Sequence, residues 1–389
     1  MNRVNSEIYI KKILATGNEA AAWGVSYVGD IEVPVFPITP QTTLMHSLVK
    51  ICGERSGVRF TNVESEHSMF TFAIGATMSL QRSFSATSSQ GLFCGFEQLP
   101  RACGGRDPIV FALVGRAPTS GTWSLETDHA DSMIARDYCI QFYASRHQEI
   151  LFDIIFAYKV AEHTMLPTMI CLDGLILSHN ASGVLLPRQE IVDTFLPPFN
   201  PPLDYGIRLE RPRIWAQIPD PEQDAFFHKS VLEAMRKSEK YIQKEADEFS
   251  GLFEYQKIGL VDVVGNPSKA DYTLIAIGTM AEVAKKLVSD QVAVVRIHTY
   301  RPFPKEVLED ILQDAENIIA VDRSFSYGSP YGPLATDIRS LFLPKAKHFS
   351  FTAGTRGLNV TDETYKIMIR ETAYMKQNDR AQFITKDGR

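Results

Sequence analysis

The chain has 389 residues, 44% of them hydrophobic and 22% charged, with a formal net charge of −6. That balance describes a soluble globular protein with room for two or three domains, and it excludes a nucleic-acid binder, which carries a basic face. No apolar run reaches the roughly 18 residues that span a bilayer, and MNRVNSEIYIKK lacks the apolar core of a secretory signal, so a cytoplasmic location is expected.

In chain order, the first 190 or so residues alternate strand-like and helix-like runs. The pattern predicts strands over Val33–Phe36, Val58–Val63, Ser83–Thr87, Ile109–Val114, Ile140–Tyr143 and Thr168–Cys171. Helices are expected between them, over Glu19–Tyr27, Thr43–Cys52, Ser68–Leu80, Gly91–Cys103 and Gln148–Glu162. Such alternation implies a mostly parallel sheet covered on both faces. Three places in this half hold candidate site residues. The loop VFPITPQT (35–42) presents Thr39 between Pro37 and Pro40. The segment GVRFTNVESEHSMFTFAIGATM (57–78) runs from strand to helix and delivers Glu66 at the junction, with Ala73, Gly75 and Ala76 behind it for close packing on a sheet. Arg116, in LVGRAP, lies just past a strand end, where α/β proteins place ligand contacts, and a guanidinium fits a carboxylate bidentately.

From Leu196 to Pro221 the text changes to LPPFNPPLDYGIRLERPRIWAQIPDP, with seven prolines in 26 residues, which reads as an extended connector or strap. A long charged helix follows over roughly Pro221 to Phe249, with Phe226, Val231, Leu232, Met235 and Ile242 as its apolar positions. A second α/β unit then has strands over Tyr272–Ile277, Val292–Ile297, Asn317–Val321 and His348–Thr352 and helices over Met280–Ser289, Lys305–Asp314 and Tyr331–Phe342.

The five cysteines, Cys52, Cys94, Cys103, Cys139 and Cys171, are odd in number and widely spaced, with no C-x-x-C among them. They read as reduced, mostly buried thiols rather than a disulfide framework, a zinc ribbon or a cluster site. Two glycine-bearing segments, GTMAEVAKK (278–286) and FSYGSPYGP (325–333), match neither a dinucleotide nor a P-loop pattern and read as turns, although free N–H groups in the first could hold an anion. No metalloprotease, nucleophile-elbow or kinase motif is present.

Eight ordered motifs carry a resemblance: GNEAAAWGV, FPITPQT, VESEHSM, SFSATSSQGL, GRAP…TW…TDHAD…ARD, QFYASRHQE, AYKVAE and CLDGLILSH. In that order the chain resembles, over nearly its whole length, the α subunit of the 2-oxoacid:acceptor oxidoreductases, the pyruvate:ferredoxin oxidoreductase family of thiamine-diphosphate enzymes. The resemblance implies an α/β fold with a pyrimidine-type, thiamine-diphosphate-binding parallel-sheet domain over 1–195. A proline-rich connector and charged helix (196–258) and a transketolase C-terminal-like α/β domain (259–389, including VVRIHTYRPFP) would follow.

The resemblance also implies site roles. Glu66 would share a proton with N1′ of the cofactor's aminopyrimidine, Pro37 would line the pyrimidine site, and Arg116 and Thr39 would hold the substrate. Glu64 competes with Glu66, because two residues apart on an extended segment both face one side; the family motif favours Glu66. The G-D-G segment with downstream asparagines that holds Mg²⁺ and the diphosphate is missing, LDGL at 172–175 being the nearest text. The cofactor site would thus be shared with a β subunit carrying the diphosphate and Mg²⁺ ligands. Iron–sulfur clusters would sit on partner subunits, with a γ-type subunit, coenzyme A and a 2-oxo acid completing the system. Phe36 stands where the pyruvate enzymes usually have tyrosine, and Ser120 and Gly121 where bulkier residues are common. The expected substrate is therefore pyruvate or a larger 2-oxo acid such as phenylglyoxylate; an oxalate-type enzyme would call for a second cation at the Thr39 position. The final acceptor, ferredoxin or NAD, is open. A non-catalytic assembly subunit and a non-redox transketolase-like transferase component are the alternatives.

Overall fold

The computed structural model describes residues 5–54, 56–212, 218–376 and 379–385, so the part of the proline-rich connector over 213–217 lies outside the described residues. In chain order the strands are β1 (Tyr9–Thr16), β2 (Ile31–Val35), β3 (Val58–Asn62), β4 (Arg82–Thr87), β5 (Val110–Gly115), β6 (Ile140–Tyr143), β7 (Thr168–Asp173), β8 (Ala181–Pro187), β9 (Val261–Val264), β10 (Tyr272–Ala276), β11 (Val292–Ile297), β12 (Thr299–Arg301), β13 (Asn317–Asp322), β14 (Lys347–Ala353) and β15 (Gln382–Ile384). The first sheet has seven strands in the order β12-β6-β7-β5-β4-β2-β3, parallel except where β12 meets β6. The second has six, β15-β14-β13-β10-β11-β9, parallel except for β9 against β11. Both are the mixed α/β layers with parallel sheets that strand–helix alternation implies. Every residue of β4, β5, β6 and β7 is buried, because helices cover both faces of a parallel sheet.

One face of the first sheet packs on the helices Gly17–Ser26 and His147–Thr164, and the long helix Pro221–Phe253 lies over the latter. There Phe152, Phe156, Phe195, Phe249 and Phe253 form an aromatic cluster, with Phe249 stacked on Phe253 one helical turn away at 4.1 Å. The other face carries Phe70 edge-on to Phe111 at 5.0 Å, and this core runs without a break into Ile275, Val295, Tyr300 and Leu308 of the second unit. The two sheets therefore share one core.

Long-range pairings absent from the sequence reading complete this picture. β1 pairs antiparallel with β8, a partner far away in sequence. β12, from the stretch assigned to the C-terminal domain, leaves its own sheet and extends the first one at β6. The stretch expected as one helix over Gly91–Cys103 is two, Ser89–Gly95 and Gln98–Gly105, and Gly95 lies where a side chain would strike the Phe70 ring. The connector is a strap held at defined points: the Tyr205 hydroxyl donates to Asp107 Oδ1 (2.8 Å), and Ile207 N donates to Met78 O (2.7 Å). Four of the cysteines are buried and Cys94 is exposed, all as free thiols. Among the described residues no helix is long and apolar enough to cross a membrane.

Candidate active site

The C-terminal ends of β3, β2, β4 and β5 lie side by side in the sheet, and each leads into a segment carrying polar groups: Glu66, Thr39, Gln90 and Arg116. This edge is where open parallel sheets place ligands. Ser65 caps the helix Glu66–Met78, its hydroxyl accepting from Ser68 N at 3.2 Å, so Glu66 becomes the first helical residue and turns inward. Only 6% of Glu66 is exposed. Its carboxylate lies against Gly91, where any Cβ would collide with it and with the Thr87 hydroxyl. Among the described residues none donates a hydrogen bond to it. Glu64 faces solvent instead, and the Ser68 hydroxyl, donating to it at 2.6 Å, lowers its pKa. Spacing alone left the two glutamates equivalent; the cap at Ser65 separates them.

Arg116 is 4% exposed. Its Nη1 donates to Thr39 O at 2.7 Å, and its Nη2 donates to Gln90 Oε1. Its Nε–H is buried with no acceptor among the described residues. Burial lowers the pKa of this guanidinium, while Asp131 and then Glu66 act to keep its charge. The Thr39 loop is held from three sides. Gln41 and Thr42 donate their backbone N–H groups to Ile38 O, Asn18 Nδ2 donates to Pro40 O (2.9 Å), and Arg116 takes Thr39 O. The side chains of Thr39 and Pro37 remain exposed at the mouth. The structure thus brings Arg116 and Thr39 together through a backbone carbonyl and sets Glu66 close enough for its charge to act on Arg116.

Asp131 fixes this arrangement from beneath. Its Oδ2 accepts from Arg116 N (3.0 Å) and Ser89 N (3.2 Å), and its Oδ1 accepts from Ser132 N (2.7 Å). Complete burial pushes the carboxyl up to about 7 against the pull of these donors. The sequence reading missed both Asp131 and Gln90, although both lie inside quoted motifs, TDHAD and SSQGL. The turn at GTMAEVAKK does hold an anion, and it is the protein's own: Thr279 N donates to Asp173 Oδ2 at 3.0 Å, with Gly278 at φ 58° letting the backbone approach.

The hydroxyls of Thr87, Ser88 and Ser89 are also buried at this edge without partners among the described residues. A buried carboxylate lacking donors, an unpaired guanidinium N–H and a glycine-lined approach suit a ligand that carries a protonatable ring nitrogen and a carboxylate-bearing partner molecule. The residues therefore fit the aminopyrimidine end of thiamine diphosphate. No group of three or more His, Cys, Asp or Glu side chains gathers to hold a metal ion among the described residues.

Comparison with known proteins shows the family of the chain. The model of the pyruvate flavodoxin/ferredoxin oxidoreductase thiamine-diphosphate-binding domain matches residues 26–247, and that of pyruvate:ferredoxin oxidoreductase core domain II matches residues 270–364. Pyruvate synthase subunit PorA of Methanocaldococcus jannaschii is 34% identical over 91% of this chain and 93% of its own length. Ketoisovalerate oxidoreductase subunit VorA of Pyrococcus horikoshii is 33% identical over 91% and 92%. In fold, the chain is similar to the 2-oxoglutarate:ferredoxin oxidoreductase of Magnetococcus marinus, with a TM-score of 0.71 at 18% identity; the match covers 94% of this chain and spans 65% of that one.

Proposed function

This chain belongs to the pyruvate:ferredoxin oxidoreductase family, and from that premise we propose that it supplies the pyrimidine half of a shared thiamine diphosphate site in an enzyme that oxidatively decarboxylates a 2-oxo acid to its acyl-CoA. The observation that carries this reading is the buried Glu66 carboxylate, which finds no donor among the described residues and faces a glycine. Thiamine diphosphate, when bound, supplies the nucleophilic carbon that attacks the 2-oxo group. Glu66 holds the shared proton at the pyrimidine N1′, and Pro37 walls the ring. The free Nε–H of Arg116 and the second proton on its Nη2 form the fork that takes the substrate carboxylate, and the exposed Thr39 hydroxyl adds a neutral donor beside it.

The diphosphate and Mg²⁺ ligands we assign to a β subunit, since this sequence has no G-D-G segment. That subunit would cover the mouth, where Thr39 and Pro37 are exposed and Trp123 and Tyr327 stand 78% and 85% open. Electrons would leave to iron–sulfur clusters on partner subunits, including a γ-type subunit, and then to ferredoxin or NAD. The substrate we infer to be a 2-oxo acid of the pyruvate or ketoisovalerate kind, the kinds named by the two relatives. Phenylglyoxylate remains the larger option that Ser120 and Gly121 would admit.

The test is the native complex assayed with pyruvate, ketoisovalerate and phenylglyoxylate, with coenzyme A and a low-potential acceptor, and its thiamine content measured. Acyl-CoA formed from at least one of the three, with about one thiamine per α chain, is expected. A thiamine-free complex, or turnover without reduction of the acceptor, overturns the reading in favour of an assembly subunit or a non-redox transferase. Calorimetry on this chain alone should show weak or no thiamine diphosphate binding; tight Mg²⁺-dependent binding would contradict the shared site.

A further inference from the structure

The loop from Ala117 to Asp128 springs from Arg116 and has neither helix nor strand of its own. Its base is closed by Ala117 N donating to Glu126 O at 2.8 Å. Its tip, Thr119 to Trp123, is exposed throughout. Only two side chains from elsewhere among the described residues hydrogen-bond to the tip and its shoulder. Gln90 Nε2 donates to Thr119 Oγ1 at 2.7 Å. Arg356, which follows β14 in the second unit, supplies the rest. Its Nη1 donates to Pro118 O (3.1 Å) and Ser120 Oγ (3.0 Å), and its Nη2 to Thr122 O and Thr122 Oγ1 (both 3.0 Å).

The backbone around Arg356 is shaped to the same loop. Gly354, Arg356 and Gly357 all have positive φ (70°, 52° and 81°), a conformation that costs a residue with a Cβ. In that shape Arg356 N donates to Asp128 Oδ2 (3.2 Å) and Gly357 N to Thr127 O (3.2 Å), and a side chain at Gly357 would strike Glu126. The fork of Arg356 thus spans the loop tip while its backbone grips the loop's return.

We propose that Arg356 is a positioning residue that sets which acyl groups the site accepts, by fixing the tip at Ser120 and Gly121 over the substrate. The inference rests on the 2-oxo acid reading above and deepens it. Gln90 links the two ends of the device, since it accepts from Arg116 and donates to the tip. Arg116 is held independently by Asp131 and Thr39. Releasing the tip should therefore leave the carboxylate grip intact and loosen only the fit around the acyl chain.

The experiment compares Arg356→Ala with wild type in the purified complex, with thiamine content and assembly measured on the same samples. The expected result has three parts. The ratio of kcat/KM between the preferred 2-oxo acid and one differing by one or two methyl groups falls by about 10-fold, the scale of discrimination such a pocket supplies. KM rises more than kcat falls. On the isolated full chain, where Trp123 and Leu125 are exposed, chymotrypsin cleaves faster at these two residues, a readout that needs no activity. Arg356→Lys, which keeps the charge and loses the two-nitrogen fork, should fall between the two, and carries the test if the alanine variant does not assemble. An unchanged substrate ratio with unchanged cleavage overturns the proposal. A wild type that turns over no 2-oxo acid sinks the functional reading instead, and the cleavage rates then decide the clamp alone, equal rates overturning it.

Discussion

Two buried glutamates begin two helices in the same α/β layer, and they are provided for in opposite ways. Glu149, in the first turn of the helix His147–Thr164, accepts from Ser145 N and Ser145 Oγ (2.8 Å each), from Arg296 Nη1 (2.7 Å) and from the Tyr255 hydroxyl (3.4 Å). Arg296 is itself completely buried and bonds onward to Lys257 O, so the pair stitches the second sheet to the first. Glu66 accepts nothing from the described residues and lies against a glycine. Burial raises the cost of charge at both. One carboxylate recovers it within the chain and serves rigidity; the other, on the function proposed above, would recover it from bound thiamine diphosphate.

The sharpest way to break this contrast is Glu66→Gln. Activity of the complex should fall by about 10²–10⁴-fold, as for loss of a positioned acid, while the melting temperature stays near wild type because no internal hydrogen bond is lost. Turnover kept above half in Glu66→Gln and lost in Glu64→Gln would reverse the assignment.

Glu149→Gln should do the converse. Removing the nearer counter-charge of buried Arg296, which then keeps only Asp262 at 3.7 Å, should cost about 2–3 kcal/mol of stability, less than an unpaired buried charge, read by urea unfolding of the chain. Burial alone would raise the Glu149 pKa, but Arg296, then His298 and the Ser145 donors, outweigh it and hold the carboxyl below its usual range. A lowered native pKa gives stability that is complete above the unfolded value, about 4.3, and is lost as pH falls through the native one. The wild type should therefore lose stability more steeply below about pH 4 than Glu149→Gln does. Equal slopes would show that Glu149 titrates normally.

Smaller effects sharpen the mouth itself. Arg116→Lys keeps charge and loses the Nε–H and the planar fork, so KM for the 2-oxo acid should rise about 10- to 150-fold, the equivalent of roughly 1.5–3 kcal/mol for a charge-assisted bond, with thiamine content little changed. Lost thiamine at constant KM would assign Arg116 to the cofactor or the fold. Thr39→Val should shift KM in the same direction by only about 2- to 10-fold, since a neutral hydroxyl contributes about 0.5–1.5 kcal/mol; an unchanged KM would make Thr39 a turn residue alone.

By itself the sequence determined the parallel α/β layers, through alternation of apolar runs such as Ile109–Val114 with helical stretches, because local periodicity records which face of each element is buried. It also placed Glu66, Thr39 and Arg116 at strand ends, where local turn chemistry is written in text such as ESEH (64–67) and PITP (37–40). Spacing did not decide between Glu64 and Glu66, and only the resemblance favoured Glu66, because period-2 spacing treats the two alike until the Ser65 cap turns one inward. Asp131 and Gln90 read as ordinary polar residues, since their roles exist only once Arg116 N, Ser89 N and Thr119 are folded around them. β1 with β8, β12 with β6, and Arg356 with the loop at 117–128 join residues far apart in the chain. No local pattern encodes such pairings: their free energy comes from hydrogen-bond partners that only the tertiary structure brings within reach.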